Sequence, residues 1–276
     1  MFEVHYTPRM VGPAQRHSPS AHKPAEVVAS WLRLLPTLEI VEPVPVDTNE
    51  LGLAHDRDWV IDVLTGKADN GFGTRSMEVA GTLPYTSGSM LSAAKAAMRR
   101  GIAIAPCSGF HHAGWAEAKD FCTFNGLMVT ARVLLEGGYL RRVGILDADM
   151  HHGDGTDEII TVLCETRVRH YSVGEHFNHP AQSRQFIEQL PQRVGEFADC
   201  DVLLYQAGAD PHIDDPHGGW LTGEDLFRRD YAVFRRCREM GLPIAWNLAG
   251  GYQSPLRKVL DIHDNTLRAA KIVWSR

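Results

Sequence analysis

The stretch "VGILDADMHHGDG", Val143 to Gly155, changes character part-way along. It opens on a short apolar run and then places Asp147, Asp149 and Asp154 around the adjacent His151 and His152. A brief apolar run that ends at Asp reads as a buried strand of a parallel sheet. The charge behind it then falls where such a strand leaves the core. Asp149 and His151 are two positions apart, so in extended backbone their side chains project to the same side.

Similar runs recur on both sides of this one: "GIAIAP" from 101, "VRHYSV" from 168, "DVLLYQAG" from 201 and "PIAWNLAGG" from 243. Between them, 124–138, 155–165 and 223–241 carry apolar residues at helical spacing and end near glycine or charge, as helices do. Further helices are expected at 24–35, in "DRDWVIDVL", at 87–100 and from Pro255 to Trp274, with "TLEIVEPVPVDTNE" as a proline-interrupted connection. Strands alternating with helices predict a three-layer α/β domain with a mainly parallel sheet. No repeat or linker divides the chain, so residues 1–276 read as one domain, a length that α/β folds reach as single units.

The composition fits that class, with 44% hydrophobic and 22% charged residues. A net charge of -6 and the lack of a basic stretch argue against a nucleic-acid partner, because neutralising phosphates requires a cationic face. The five cysteines are scattered and include no Cys-x-x-Cys, which points to a reducing compartment rather than a disulfide framework. Neither a signal-like start nor a run of about 18 apolar residues is present, so a cytoplasmic protein without a membrane partner is expected. Fourteen histidines are the unusual feature.

Each strand candidate runs into a loop rich in reactive side chains: "CSGFHHAG", "DADMHHGDG", "SVGEHFNH", "QAGADPHIDDPHGG" and "LAGGYQ". In open α/β sheets ligands bind at the carboxyl ends of the strands, so these loops should meet. Asp149 and His151, joined by Asp210 or Asp215, would make a mixed oxygen and nitrogen set. Zinc suits such a set, and iron(II) or cobalt(II) could also occupy it. His111 and His112 could supply a base and an acid if carboxylates hold their rings, and Asp147 and Asp154 are available for that. Tyr252, behind two glycines, could donate a hydrogen bond to a developing oxyanion. Taken singly, an Asp-x-His can be a helix cap, a His-His pair a surface loop and a Tyr a packing residue. Their coincidence on successive strand ends favours one site.

The order "GFHHA", "FCTFN", "DADMHHGDG", "GAD" with "DP" five residues after Asp210, then "GGY", resembles the zinc-dependent histone deacetylase superfamily. The likeness runs from about Pro84 to Tyr252, with a weaker trace in "HSPSAHKP". It implies an arginase-deacetylase fold with about eight strands and a hydrolase that removes acetyl or related acyl groups from amines. It assigns zinc to Asp149, His151 and Asp215, and a structural potassium ion to Asp147 and Ser172. His112 becomes the base and then the acid, with His111 beside it, Asp147 and Asp154 orienting the pair, and Tyr252 polarising the carbonyl. Phe121 would line the channel together with Asp120, Gly250 and Leu221, and Phe177 is the candidate for its second wall, with His176 and His179 as alternatives.

The chain departs from that pattern in places. "CSGFHHA" replaces a Pro-Gly-rich approach to the histidines, Asp120 stands where glycine usually precedes the channel Phe-Cys, and "GEHFNHPAQ" replaces a Pro-Gly-Thr-Gly segment. Three other readings compete. A binuclear manganese ureohydrolase would leave the tandem histidines and Tyr252 without a task. A non-catalytic acyl-amine binder would not need Tyr252. An acetylpolyamine hydrolase would favour an acidic rim where "HGGWLT" places Leu221.

Overall fold

The five expected apolar runs all become strands of one sheet. The computed structural model describes residues 2–15, 17–138 and 140–275. In chain order its principal elements are β1 (Glu3–His5), α1 (Lys23–Leu34), β2 (Glu39–Val41), α2 (Thr48–Leu51), α3 (Arg57–Leu64), α4 (Met77–Arg100), β3 (Ile102–Ala105) and α5 (Gly126–Glu136). There follow β4 (Val143–Asp147), α6 (Asp154–Val162), β5 (Val168–Ser172), α7 (Ser183–Gly195), β6 (Val202–Gly208), α8 (Gly223–Met240), β7 (Ile244–Ala249) and α9 (Arg257–Trp274). All pairings are parallel, in the order β2-β1-β3-β7-β6-β4-β5. The described sheet thus has seven strands rather than about eight.

Period-two alternation sends each central strand into two cores. Ile102, Ile104, Leu203, Tyr205, Ile244 and Trp246 join Trp31 of α1 and Phe234 of α8 on one face. Ala103, Val143, Ile145, Leu204 and Ala245 join Met90 of α4 and Leu127 of α5 on the other. That is the three-layer arrangement expected of a sheet buried on both faces. Arg229 of α8, fully buried, ties strand ends together: its Nε donates to Asp230 at 2.8 Å, and its side chain also donates to the Gly208 and Ala148 carbonyls at 2.8 and 3.0 Å.

The differences from expectation lie at the periphery. β1 and β2 are three-residue strands, and the residues of β2 are exposed or half-buried, so neither presents an apolar run. α7 hides because its buried face is only Phe186, Leu190 and Val194 in a polar sequence. α4 begins ten residues before the expected start and continues through Pro84. The carbonyl of Pro84 accepts from Val46 N–H at 3.0 Å, and a Cβ on Gly88 would lie 2.2 Å from the Val44 carbonyl oxygen. The 44–46 segment therefore crosses the helix at a distance only glycine permits, which explains residues that read as helix breakers. Among the described residues, no helix is long and apolar enough to cross a membrane.

Candidate active site

The carboxyl ends of β3, β4, β6 and β7 lie side by side, and their loops enclose a cavity of about 260 Å³. It is lined by His111, His112, Asp120, Phe121, Asp149, His151, Asp210, Gly250 and Tyr252, among others. Four strands thus deliver the reactive side chains to one place, as the open-sheet rule requires.

At its floor, His151 Nδ1 lies 3.1 Å from Asp149 Oδ1 and 3.2 Å from Asp210 Oδ2. The ligand atoms of these three residues fall within 4.8 Å of one another. Asp210 Oδ1 accepts from Met150 N–H at 3.2 Å, whereas Oδ2 is buried without a hydrogen-bonded partner among the described residues. A buried, orphaned carboxylate oxygen converging with a histidine and a second carboxylate is what a divalent cation would satisfy. The electrostatics agree. The Asp149 carboxylate, which accepts from the His151 ring, and then the nearby Asp210 carboxylate raise the His151 pKa to about 11, while burial and then the Asp149 charge push Asp210 up to about 7. A proton held between two carboxylates occupies the place that a metal takes by displacing it.

Asp215 does not belong to this cluster. Its Oδ2 accepts from Tyr252 N–H at 2.8 Å and its Oδ1 from His217 N–H at 3.1 Å. The third member of the candidate cluster is instead Asp210, two residues past β6, while Asp215 accepts from backbone amides. The "GAD" and "DP" aspartates both follow the same strand, and only side-chain direction separates them.

The first histidine pair is held as expected. His111 Nδ1 is 2.7 Å from Asp147 Oδ2, and His112 Nδ1 is 2.7 Å from Asp154 Oδ1. Burial opposes a charge on His111, but the Asp147 and Asp149 carboxylates outweigh it and lift the pKa to about 9. His112 is pushed below the ordinary value, first by burial and then by the His111 charge. Asp154 stays ionised despite burial, held near pKa 2 by hydrogen bonds from His112 and Lys119. The surroundings thus favour charge on His111 over charge on His112, and both Nδ1 atoms are occupied.

The Tyr252 ring lies 5.6 Å from the Phe121 ring and 4.4 Å from the His217 ring. Burial, and then the Asp210 and Asp149 charges, raise its pKa far above the ordinary value, so the phenol keeps its proton. Gly250 and Gly251 turn the chain at positive φ, and a Cβ on Gly250 would lie 2.2 to 2.5 Å from the Asp210 carboxyl atoms. Glycine is required there to let the Tyr252 loop approach Asp210. Asp120 and Phe121 have φ of 48° and 66°, which accounts for the glycine that commonly precedes this Phe-Cys.

Two expected lining residues lie elsewhere. Phe177 is buried against Phe186 and Trp220 at 5.3 and 6.0 Å between rings, because its segment turns back into the core. Leu221 is buried beside the β-bridge that it forms with His212, and His217 lines the cavity instead. Asp147 and Ser172, the expected potassium pair, are register partners on β4 and β5. Asp147 Oδ1 accepts from Gln206 Nε2 at 3.0 Å, Oδ2 meets His111, and Ser172 Oγ accepts from Gly153 N–H at 3.0 Å. Lys23, which no strand-end motif marks, also reaches the site. It is fully buried, its Nζ donates to the Gly250 carbonyl, and burial lowers its pKa to about 8 against the pull of Asp210, Asp149 and Asp215. The faint likeness in "HSPSAHKP" was its only signal.

A histone deacetylase domain matches residues 17–185, which include the first histidine pair and the whole Asp147–Asp154 stretch. The chain belongs to the histone deacetylase family. It is 28% identical over 261 residues to an uncharacterized protein of Picosynechococcus, covering 86% of each. It is also 28% identical to acetylpolyamine amidohydrolase 1 of Pseudomonas aeruginosa over 66% of this chain and 61% of that one. With histone deacetylase 2 of Arabidopsis thaliana it shares 27% over 67% of this chain and 53% of the relative. Among solved structures, an acetylpolyamine aminohydrolase from Burkholderia pseudomallei superposes with a TM-score of 0.75 at 17% identity, covering 99% of both chains. The HDA15 HD domain gives 0.73 at 19%, covering 99% of this chain and 93% of that one. These neighbours identify the arginase-deacetylase fold of the histone deacetylase family.

Proposed function

We propose that this chain is a zinc-dependent amidohydrolase that removes an acetyl or related acyl group from an amine. The reading rests chiefly on one observation: the His111–His112 pair, each ring held through Nδ1 by a carboxylate, lines the same cavity as the Asp149–His151–Asp210 cluster and Tyr252. Asp149, His151 and Asp210 would hold the ion. Zinc in such a site supplies a Lewis acid and water acidified to a pKa of about 7.

The chain's own residues do the rest. His112 Nδ1 is committed to Asp154, so Nε2 is the atom that takes a proton from water and later returns it to the departing amine. His111, tied to Asp147, helps keep its neighbour neutral and so able to accept a proton at the start of the cycle. The Tyr252 hydroxyl donates to the carbonyl oxygen as charge develops on it. Phe121 flanks the Tyr252 ring and offers an apolar surface to the methylene stem of an acyl-lysine.

Asp120, on the cavity lining next to Phe121, favours a second substrate class. Its carboxylate suits an additional amine, as in an acetylated polyamine. Acetate release by the zinc-loaded chain from acetyl-lysine peptides and from acetylpolyamines of graded length tests both readings. Turnover of either supports the reaction class, and preference for the longer diamines supports the second substrate. No release from any acyl-amine by a chain holding one zinc would overturn the hydrolase reading in favour of a binder.

A further inference from the structure

His152 is the one member of the two histidine pairs that the reaction leaves idle. It does not line the cavity. Its Nε2 lies 2.7 Å from Asp157 Oδ2 and 4.0 Å from Glu175 Oε2, and ligand atoms of the three residues fall within 4.8 Å of one another. They come from separate places in the fold: the loop after β4, α6, and the 3-10 turn Val173–Glu175 that follows β5.

The cluster is supported from behind. His170 Nδ1 is 2.7 Å from Asp157 Oδ1, and the His170 side chain is only 4% exposed, so the carboxylate is fixed by a buried ring while its other oxygen faces His152. A ligand oriented by an outer hydrogen bond is how proteins hold metal donors in place. His176 stands alongside, with Nε2 3.6 Å from Glu175 Oε2. A surface ion pair needs only two partners. Here a histidine and two carboxylates from three segments converge, and the central one is braced by a buried ring.

We propose that His152, Asp157 and Glu175 form a second divalent-metal site, selective for zinc or a similar borderline ion, which ties the turn after β5 to α6. One nitrogen and two carboxylate oxygens suit zinc, cobalt(II) or nickel(II), whereas magnesium and calcium take all-oxygen shells. Solvent completes the coordination, because all three side chains are partly exposed. The site is distinct from the Asp149–His151–Asp210 cluster, and a second ion there does not imply a bridged binuclear centre, since the two clusters share no residue.

The test titrates the metal-stripped full chain with zinc chloride against a chromophoric chelator, with zinc per chain read by elemental analysis. Wild type should bind two equivalents. Glu175→Gln, at an exposed position outside the catalytic cavity, should weaken the second binding event at least about tenfold while leaving the first and the melting temperature unchanged. Asp210→Asn should remove the first event and leave the second, so a failure of the active-site reading is visible separately. Excess magnesium chloride should displace neither ion. A single equivalent in wild type, or two equivalents of unchanged affinity in Glu175→Gln, would overturn the second site.

Discussion

The molecule carries two His-His pairs, after β3 and after β4, and their neighbours make them different objects. His111 and His112 each face a carboxylate through Nδ1, at 2.7 Å in both cases, which leaves the Nε2 of His112 for the proposed proton transfer. In the second pair His151 sends Nδ1 to Asp149 and Asp210, while His152 turns Nε2 to Asp157. The dipeptide is the same, so the role follows from which ring nitrogen a carboxylate captures and from which side of the loop supplies it.

The two pairs should differ most at the proposed metal donors. Asp210→Asn should cost zinc and several orders of magnitude of activity, because it removes a ligand whose Oδ2 has no other hydrogen-bonded partner. Asp215→Asn should retain the metal, since Asp215 binds backbone amides. Zinc content and acetate release measured on the two variants distinguish the aspartates. Tyr252→Phe should keep zinc and lose about 10²- to 10³-fold in kcat, the usual cost of an oxyanion donor. A smaller effect is expected at the base of the first pair: Asp154→Asn frees the His112 ring and should cost about 10- to 100-fold in kcat/KM, with the acidic limb of the pH profile displaced.

A histidine outside both pairs sharpens the contrast. His55 is fully buried between the Gly114 carbonyl and Asn125 N–H, each at 2.9 Å, and burial lowers its pKa from 6.5 to about 4. A depressed folded-state pKa means the unfolded chain binds the proton more readily. Its stabilising contribution is therefore complete above pH 6.5 and is lost as pH falls toward 4, by roughly 3 kcal/mol. Denaturant melts at pH 7.5 and 4.5 should differ accordingly, and His55→Gln should reduce the difference.

Much of this was legible because it is periodic or local. The apolar runs that become β3 to β7 alternate between two cores, and the carboxylates that hold the first histidine pair sit within the same strand-end stretch that supplies two of the candidate metal donors. What stayed hidden depends on direction. Asp210 and Asp215 follow the same strand and differ in what their oxygens meet. Phe177 and Leu221 are apolar residues near the loops, and nothing local says that the core takes them while His217 goes to the cavity. Lys23 lies more than eighty residues before the first histidine pair and reaches the site only because α1 packs against α9, beside the loop that carries Gly250.

Proton transfer by His112 is tested most directly by His112→Ala, loaded to the same zinc content as wild type and assayed on an acetylated amine that wild type cleaves. Its kcat should fall by about 10²- to 10⁴-fold with zinc retained. Undiminished turnover by the zinc-loaded variant would contradict it.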